Sequence, residues 1–128
     1  MYPQDRVYSV EHEWLRRDSD RDECELGITQ FAQEELGDVV FVELPEVGAT
    51  FEAGAEMGTI ESVKAVAELY TPVACEVIAV NETVVDTPEL INEDPHGRGW
   101  LVRIRLVDAR SLDSLMDAAA YEEHLRAG

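Results

Sequence analysis

Lysine is nearly absent from this chain. Of ten basic residues in 128, nine are arginines and one, Lys64, is a lysine, set against 28 aspartates and glutamates. The formal net charge of −18 repels phosphate backbones and anionic membrane surfaces, whose binding depends on clusters of Lys and Arg, and so argues against nucleic-acid or membrane partners. An acidic surface of this kind keeps a protein soluble, and it can also steer the chain toward basic partner enzymes. Cysteine is scarce too: Cys24 and Cys75 are too few for a disulfide framework or a zinc site, so two ordinary buried thiols in a reducing compartment are expected. Aromatics are few for an enzyme that stacks flat substrates; Trp14, Phe41, Phe51, Tyr70 and Trp100 are spread out, as a thin sandwich requires. No run approaches membrane-spanning length, and the opening residues 1–5 carry neither an apolar signal core nor an Arg-rich transit segment. A cytoplasmic, unprocessed protein is the expectation.

What is present has strand chemistry. Short apolar segments cut by Gly, Pro, Asp or Asn predict strands at 14–17, 23–28, 39–44, 56–62, 66–70, 75–80 and 100–106. Cys24, Leu26 and Ile28 alternate onto one face, as do Trp100, Val102, Ile104 and Leu106 with Arg103 and Arg105 opposite, so these strands have one wet side. A short helix over 29–36 is expected from the capping residue Thr29, with Gln33 near the capping-box position and Gly37 as the stop. Thr87-Pro88-Glu89-Leu90-Ile91 predicts a capped helical turn with proline at the first helical position. In 111–126 the apolar stripe shifts from Leu112, Leu115 and Met116 to Tyr121 and Leu125, which predicts a break at Asp117 and a second helix capped there. With no repeat and no linker, residues 1–128 are expected to form one domain with 111–126 as a C-terminal helical extension.

Lys64 lies where a hairpin should turn, between the strand-like runs 56–62 and 66–70. Scarcity alone decides nothing, because an Arg-biased genome produces the same count and a turn lysine is usually just solvated. Arginine stays charged and is a poor nucleophile, whereas a lysine amine can give up its proton and attack an activated acyl group. Held at the tip of a stiff hairpin between Val63 and Ala65, it can be presented to an acylating enzyme with no second lysine to compete.

Glu61-Ser62-Val63-Lys64-Ala65 resembles the lipoylation motif of the H proteins of the glycine cleavage system, and the likeness runs nearly end to end. It takes in Glu11-His12-Glu13-Trp14-Leu15, Gly27-Ile28-Thr29, Leu36-Gly37-Asp38, Val40-Phe41-Val42-Glu43-Leu44-Pro45, Pro88-Glu89-Leu90-Ile91-Asn92 and Ala120-Tyr121-Glu122. The resemblance implies a mainly β barrel-sandwich hybrid of two antiparallel sheets with short flanking helices, and lipoate covalently bound to Lys64. It implies a non-catalytic carrier that takes the aminomethyl group derived from glycine from a PLP-dependent decarboxylase (P protein) to a folate-dependent aminomethyltransferase (T protein), and is then reoxidised by dihydrolipoamide dehydrogenase (L protein). By the same resemblance Glu61 and Ser62 are assigned to recognition by lipoate-attaching enzymes, although Glu61 is equally readable as a plain surface carboxylate. Glu13 is assigned to docking the loaded arm, against the alternative of an ordinary exposed acid.

The chain departs from relatives at Cys75, where a glycine is often found eleven residues after the modified lysine; a strained positive-φ turn is the expectation there. Phe31 and Glu35 stand where relatives often carry histidines. His12, His96 and His124 lack ligand spacing, so no metal site is read, and neither cysteine has a nucleophile context. A biotinyl carrier shares the architecture but usually brackets its lysine with methionines, unlike Val63 and Ala65. An H-like lipoate relay protein remains the closer rival, with Glu13 and the loop over 92–100 favouring glycine cleavage.

Overall fold

The computed structural model describes residues 2–18 and 22–127; Met1, residues 19–21 and Gly128 lie outside the described residues. The elements are β1 (Val7–Tyr8), β2 (Glu13–Arg17), β3 (Glu23–Ile28), α1 (Gln30–Leu36), β4 (Val39–Glu43), β5 (Thr50–Phe51), β6 (Glu56–Ser62), β7 (Val66–Tyr70), β8 (Cys75–Val80), α2 (Glu82–Asp86), α3 (Leu90–Glu93), β9 (Val102–Leu106) and α4 (Ala118–Ala127). The strands make two antiparallel sheets, ordered β1-β2-β3-β9-β8-β5 and β4-β6-β7. Between them lies one apolar core, fed by Leu15, Leu26 and Ile104 from the larger sheet and Val42, Ile60 and Leu69 from the smaller. The expected sandwich of two antiparallel sheets with short helices is therefore the architecture found.

Period-two alternation does most of this sorting. In β3, Cys24, Leu26 and Ile28 point inward while Glu23 and Glu25 pair outward with arginines. Gly27 lies opposite Trp14, and a Cβ there would come within 2.7 Å of the indole ring, so only glycine lets the ring lie across the strand. The indole Nε1 donates to the carbonyls of Ile28 and Pro95, tying the 94–99 loop to the sheet.

Several expected elements shift. The last strand begins at Val102, because the Asn81 side chain donates to the carbonyls of Arg98 and Trp100 and holds Trp100 outside the ladder; Leu101 and Val102 are then both buried. Thr29 caps α1 as expected, but Gln33 closes no capping box: the Thr29 N–H already donates to the His12 carbonyl, and the Gln33 side chain accepts from Asn92 instead. Pro88 opens a helical turn, yet the helix proper starts at Leu90 without a side-chain cap, and α2, capped by Asn81, had no clear sequence signal. The C-terminal stretch breaks at Asp117, whose side chain caps α4. Its first half is a 3₁₀ helix over Ala109–Ser114, and Met116 is extended because its backbone pairs with Tyr8.

The strained turn expected at Cys75 is overturned. Cys75 is the first residue of β8, fully buried and paired with Phe51 and Leu106, and among the described non-glycine residues only His12 has a positive φ. Replacing Cys75 by glycine removes a packed side chain and adds backbone freedom to a strand. Cys75→Gly should therefore lower stability by about 1–2 kcal/mol, read as a lower denaturant midpoint at unchanged slope; a gain in stability would contradict this placement.

Candidate functional site

Lys64 is exposed at the tip of the β6–β7 hairpin, two residues past Ser62, which follows the last ladder pair of Glu61 with Val66. Two-residue hairpin tips usually need a positive φ, and neither Val63 nor Lys64 has one. Ser62 replaces that geometry: its buried hydroxyl accepts from the N–H groups of Lys64 (3.3 Å) and Ala65 (3.1 Å), while the Ser62 N–H donates to the Ala65 carbonyl (2.8 Å). Ser62 is thus buried inside the turn and shapes the loop that presents Lys64. Glu61 is exposed on β6, between Phe41 and Val66 in the ladder.

The lysine stem has a defined bed. Its Cε lies 3.4 Å from where a Cβ on Gly37 would stand, and Gly37 closes α1 with φ 78° and ψ −156°, a conformation nearly reserved for glycine. Asn92 braces this corner, donating to the Gly37 carbonyl (2.8 Å) and accepting from the Val39 N–H (2.9 Å). The Val63 N–H donates to the Asp38 carbonyl, tying the hairpin tip to the same segment.

Beside the hairpin a groove of about 390 Å³ runs between α1 and β7, the edge strand of the smaller sheet. Phe31, Ala32 and Glu35 form one wall and Ala67, Glu68 and Tyr70 the other. From Ala67 to Tyr70 the wall extends about 10 Å along the strand, away from Lys64. Glu13 closes the far end and also borders a second hollow of about 610 Å³ that includes Ser9, Thr71 and Leu115. Contrary to the alternative of an ordinary surface acid, Glu13 is only 3% exposed. Ser9 Oγ donates to its carboxylate (2.6 Å), and the Tyr70 backbone supplies a further hydrogen bond. Burial pushes its pKa up to about 7, with Glu11 adding repulsion and the bonds from Ser9 and Tyr70 opposing the rise.

The Glycine cleavage H-protein family model matches residues 6–128. The chain belongs to that family. It is 50% identical over 125 residues to a glycine cleavage system H protein of Marinobacter nauticus, covering 98% of this chain and 95% of that one. It is 52% identical over 120 residues to the corresponding protein of Klebsiella pneumoniae, covering 94% and 92%. The crystal structure of a glycine cleavage system H protein from Mycobacterium marinum superposes with a TM-score of 0.89 at 38% identity, covering 98% of this chain and 99% of that one.

In this H-protein family member, Lys64 stands on the hairpin beside the groove that Glu13 borders, whereas Glu61, next to the groove-lining Ile60, points to the opposite face of the smaller sheet. Sequence reading missed four residues that make the arrangement. Ser9 holds the Glu13 carboxylate, Asn92 braces Gly37, Tyr70 acts through its main chain, and Tyr121 places its hydroxyl 2.7 Å from His12 Nδ1 and 2.8 Å from Thr29 Oγ1. The capping signal at Thr29 and the apolar phase shift before Tyr121 were visible, but not that they meet.

The raised pKa of Glu13 has a defined consequence for stability. A carboxyl whose folded pKa lies above its unfolded value binds protons more tightly when folded, so its contribution is most favourable at low pH. That contribution declines as pH rises from the unfolded value of 4.5 through about 7 and is then flat. Subtracting the unfolding free energies of wild type and Glu13→Gln across pH 4–9 should show wild type losing stability relative to the variant through this window. A pH-independent difference would refute the shift.

Proposed function

We propose that this protein is the lipoyl carrier of a glycine cleavage system, bearing lipoate in amide linkage on Lys64. The observation that carries this reading is the chain's sole lysine held, exposed, on a hairpin tip beside a groove that ends in a buried carboxylate. The residues present fit the group: the Lys64 stem rests against Gly37, and among the described residues its ammonium forms no ion pair that an acyl group would have to break. When bound, lipoate supplies a dithiol–disulfide couple that accepts a one-carbon amine on sulfur and is regenerated by oxidation. P, T and L proteins act on it in turn, the chain itself is a non-catalytic cytoplasmic carrier, and Glu61 is read by the lipoate-attaching enzymes.

The chain's own residues would protect what the arm carries. Phe31, Ala32 and Ala67 limit water along the groove. At its end Glu13, ionised, favours the charged form of an amine brought beside it, and a protonated amine has no lone pair with which to expel sulfur. With a pKa near 7, Glu13 is drawn into its charged form by such a cation.

Two measurements test this. Lys64→Arg keeps the charge but offers no acylable amine, so the purified protein should show no lipoyl increment in its intact mass and should not support glycine cleavage with its partners; an increment on the variant sinks the assignment. In the second, wild-type and Glu13→Gln carriers are loaded by the decarboxylase without the transferase. The variant should release ammonia about tenfold faster, as expected for the loss of roughly 1.5 kcal/mol from a hydrogen bond to a charged group. Equal rates from equally loaded, folded proteins reject the role of Glu13.

A further inference from the structure

The larger hollow, of about 610 Å³, lies on the other side of Glu13 from the groove, and the two share only Glu11, Glu13 and Tyr70. Its walls are the turn leading into β2, the turn at Ala53 and Gly54, the segment after β7 and the stretch over 114–116. Val10, Pro72, Leu115 and Met116 give it an apolar lining, and Val10 is 60% exposed. A hollow of this size, apolar with a few polar groups, suits a small organic ligand.

Those polar groups accept more readily than they donate. Five hydroxyls line the hollow, and four have their proton committed: Tyr8 donates to the Pro3 carbonyl, Ser9 to the Glu13 carboxylate, Thr71 to the Val73 carbonyl and Ser114 to the Ser111 carbonyl. A carboxylate has about four acceptor positions, and at Glu13 the Ser9 hydroxyl and the Tyr70 main chain leave the others open. Among the described residues no lysine, arginine or histidine lines the hollow, and Glu13 takes part in no ion pair. A buried carboxylate without a counter-cation, with a second acid beside it in Glu11, favours a cationic guest and repels an anionic one. A metal ion is poorly served, because no three ligating side chains converge among the described residues.

We propose that this hollow binds a small aliphatic amine as its ammonium ion, with the nitrogen on Glu13 and the hydrocarbon chain along Val10, Pro72 and Leu115. Glu13 stands between the hollow and the groove, so an amine held in the hollow takes up the negative charge that the loaded arm would use, and the two oppose each other. This opposition rests on the reading of Lys64 as the lipoyl-bearing residue; the binding itself does not.

The test begins with the full-length unmodified protein and n-hexylamine, followed through backbone amide shifts by two-dimensional NMR at about pH 8, above the Glu13 pKa of about 7. Saturable shifts are expected at Val10, Ala53, Thr71 and Leu115 and not at Phe31 or Ala32 on the groove wall. Affinity should fall about tenfold in Glu13→Gln, verified by its melting curve to be folded, and about tenfold when 1-hexanol replaces the amine, as for the loss of a hydrogen bond to a charged group. Val10→Ser, at an exposed position, should weaken hexylamine about threefold and gives a second reading should Glu13→Gln not fold. Loaded carrier separated from the decarboxylase is then given saturating hexylamine. Ammonia release from wild type should rise about tenfold, to the rate of Glu13→Gln, which itself should not respond. Equal affinities for wild type, Glu13→Gln and Val10→Ser, or shifts confined to Phe31, Ala32 and Ala67, overturn the site. Unchanged ammonia release with hexylamine bound overturns the opposition to the arm. A chain that binds hexylamine as stated but cannot be loaded supports the site and counts against the reading of Lys64 alone.

Discussion

Packing two sheets over one core brings β7, an edge strand, alongside the start of β2, and the peptide groups on that edge must find partners or water. Tyr70 meets this requirement through its backbone hydrogen bond with Glu13, and Ser9 donates to the same carboxylate. The tight turn that makes this possible places His12 at φ 70°, where its N–H donates to the Ser9 carbonyl and its own carbonyl accepts from Thr29. An acid that a free surface would leave solvated is thereby buried at the end of the groove. Its raised pKa is a result of closing the sandwich at this seam.

The C-terminal helix supports the same seam from outside. Tyr121 stacks on Tyr8 at 4.8 Å and, with Trp14 and Ala118, forms a small second core. Its hydroxyl bridges His12 and Thr29, which caps the helix forming one wall of the groove. Burial lowers the pKa of His12, with His124 adding to the effect, so the neutral ring whose nitrogen can accept from Tyr121 is favoured. The helix therefore contributes to the groove without lining it.

Segregated charge completes the picture. Alternating rows of arginine and carboxylate, built on Arg16, Arg103 and Arg105, stabilise the larger sheet through cross-strand pairs. The strands of the smaller sheet hold Glu43, Glu56, Glu61 and Glu68 and no arginine.

Strand positions, the helix cap at Thr29, the break at Asp117 and the placement of Lys64 on a hairpin turn were legible because they are local: alternation and capping chemistry survive in one dimension. Expectations failed where a distant group overrode the local signal. Asn81 pulls Trp100 out of its ladder, Asn92 takes the Gln33 side chain that would have closed a capping box, and pairing with Phe51 and Leu106 gives Cys75 an ordinary strand conformation. By itself the sequence determined a strand-rich chain with one acylable amine, since periodicity and composition are properties of the chain, and resemblance to a family implied the two-sheet carrier. Only the tertiary structure decided that Glu13 is buried, that Ser62 is a turn staple and that Phe41, Glu61 and Val66 share a row, because burial and register depend on what the rest of the chain places alongside.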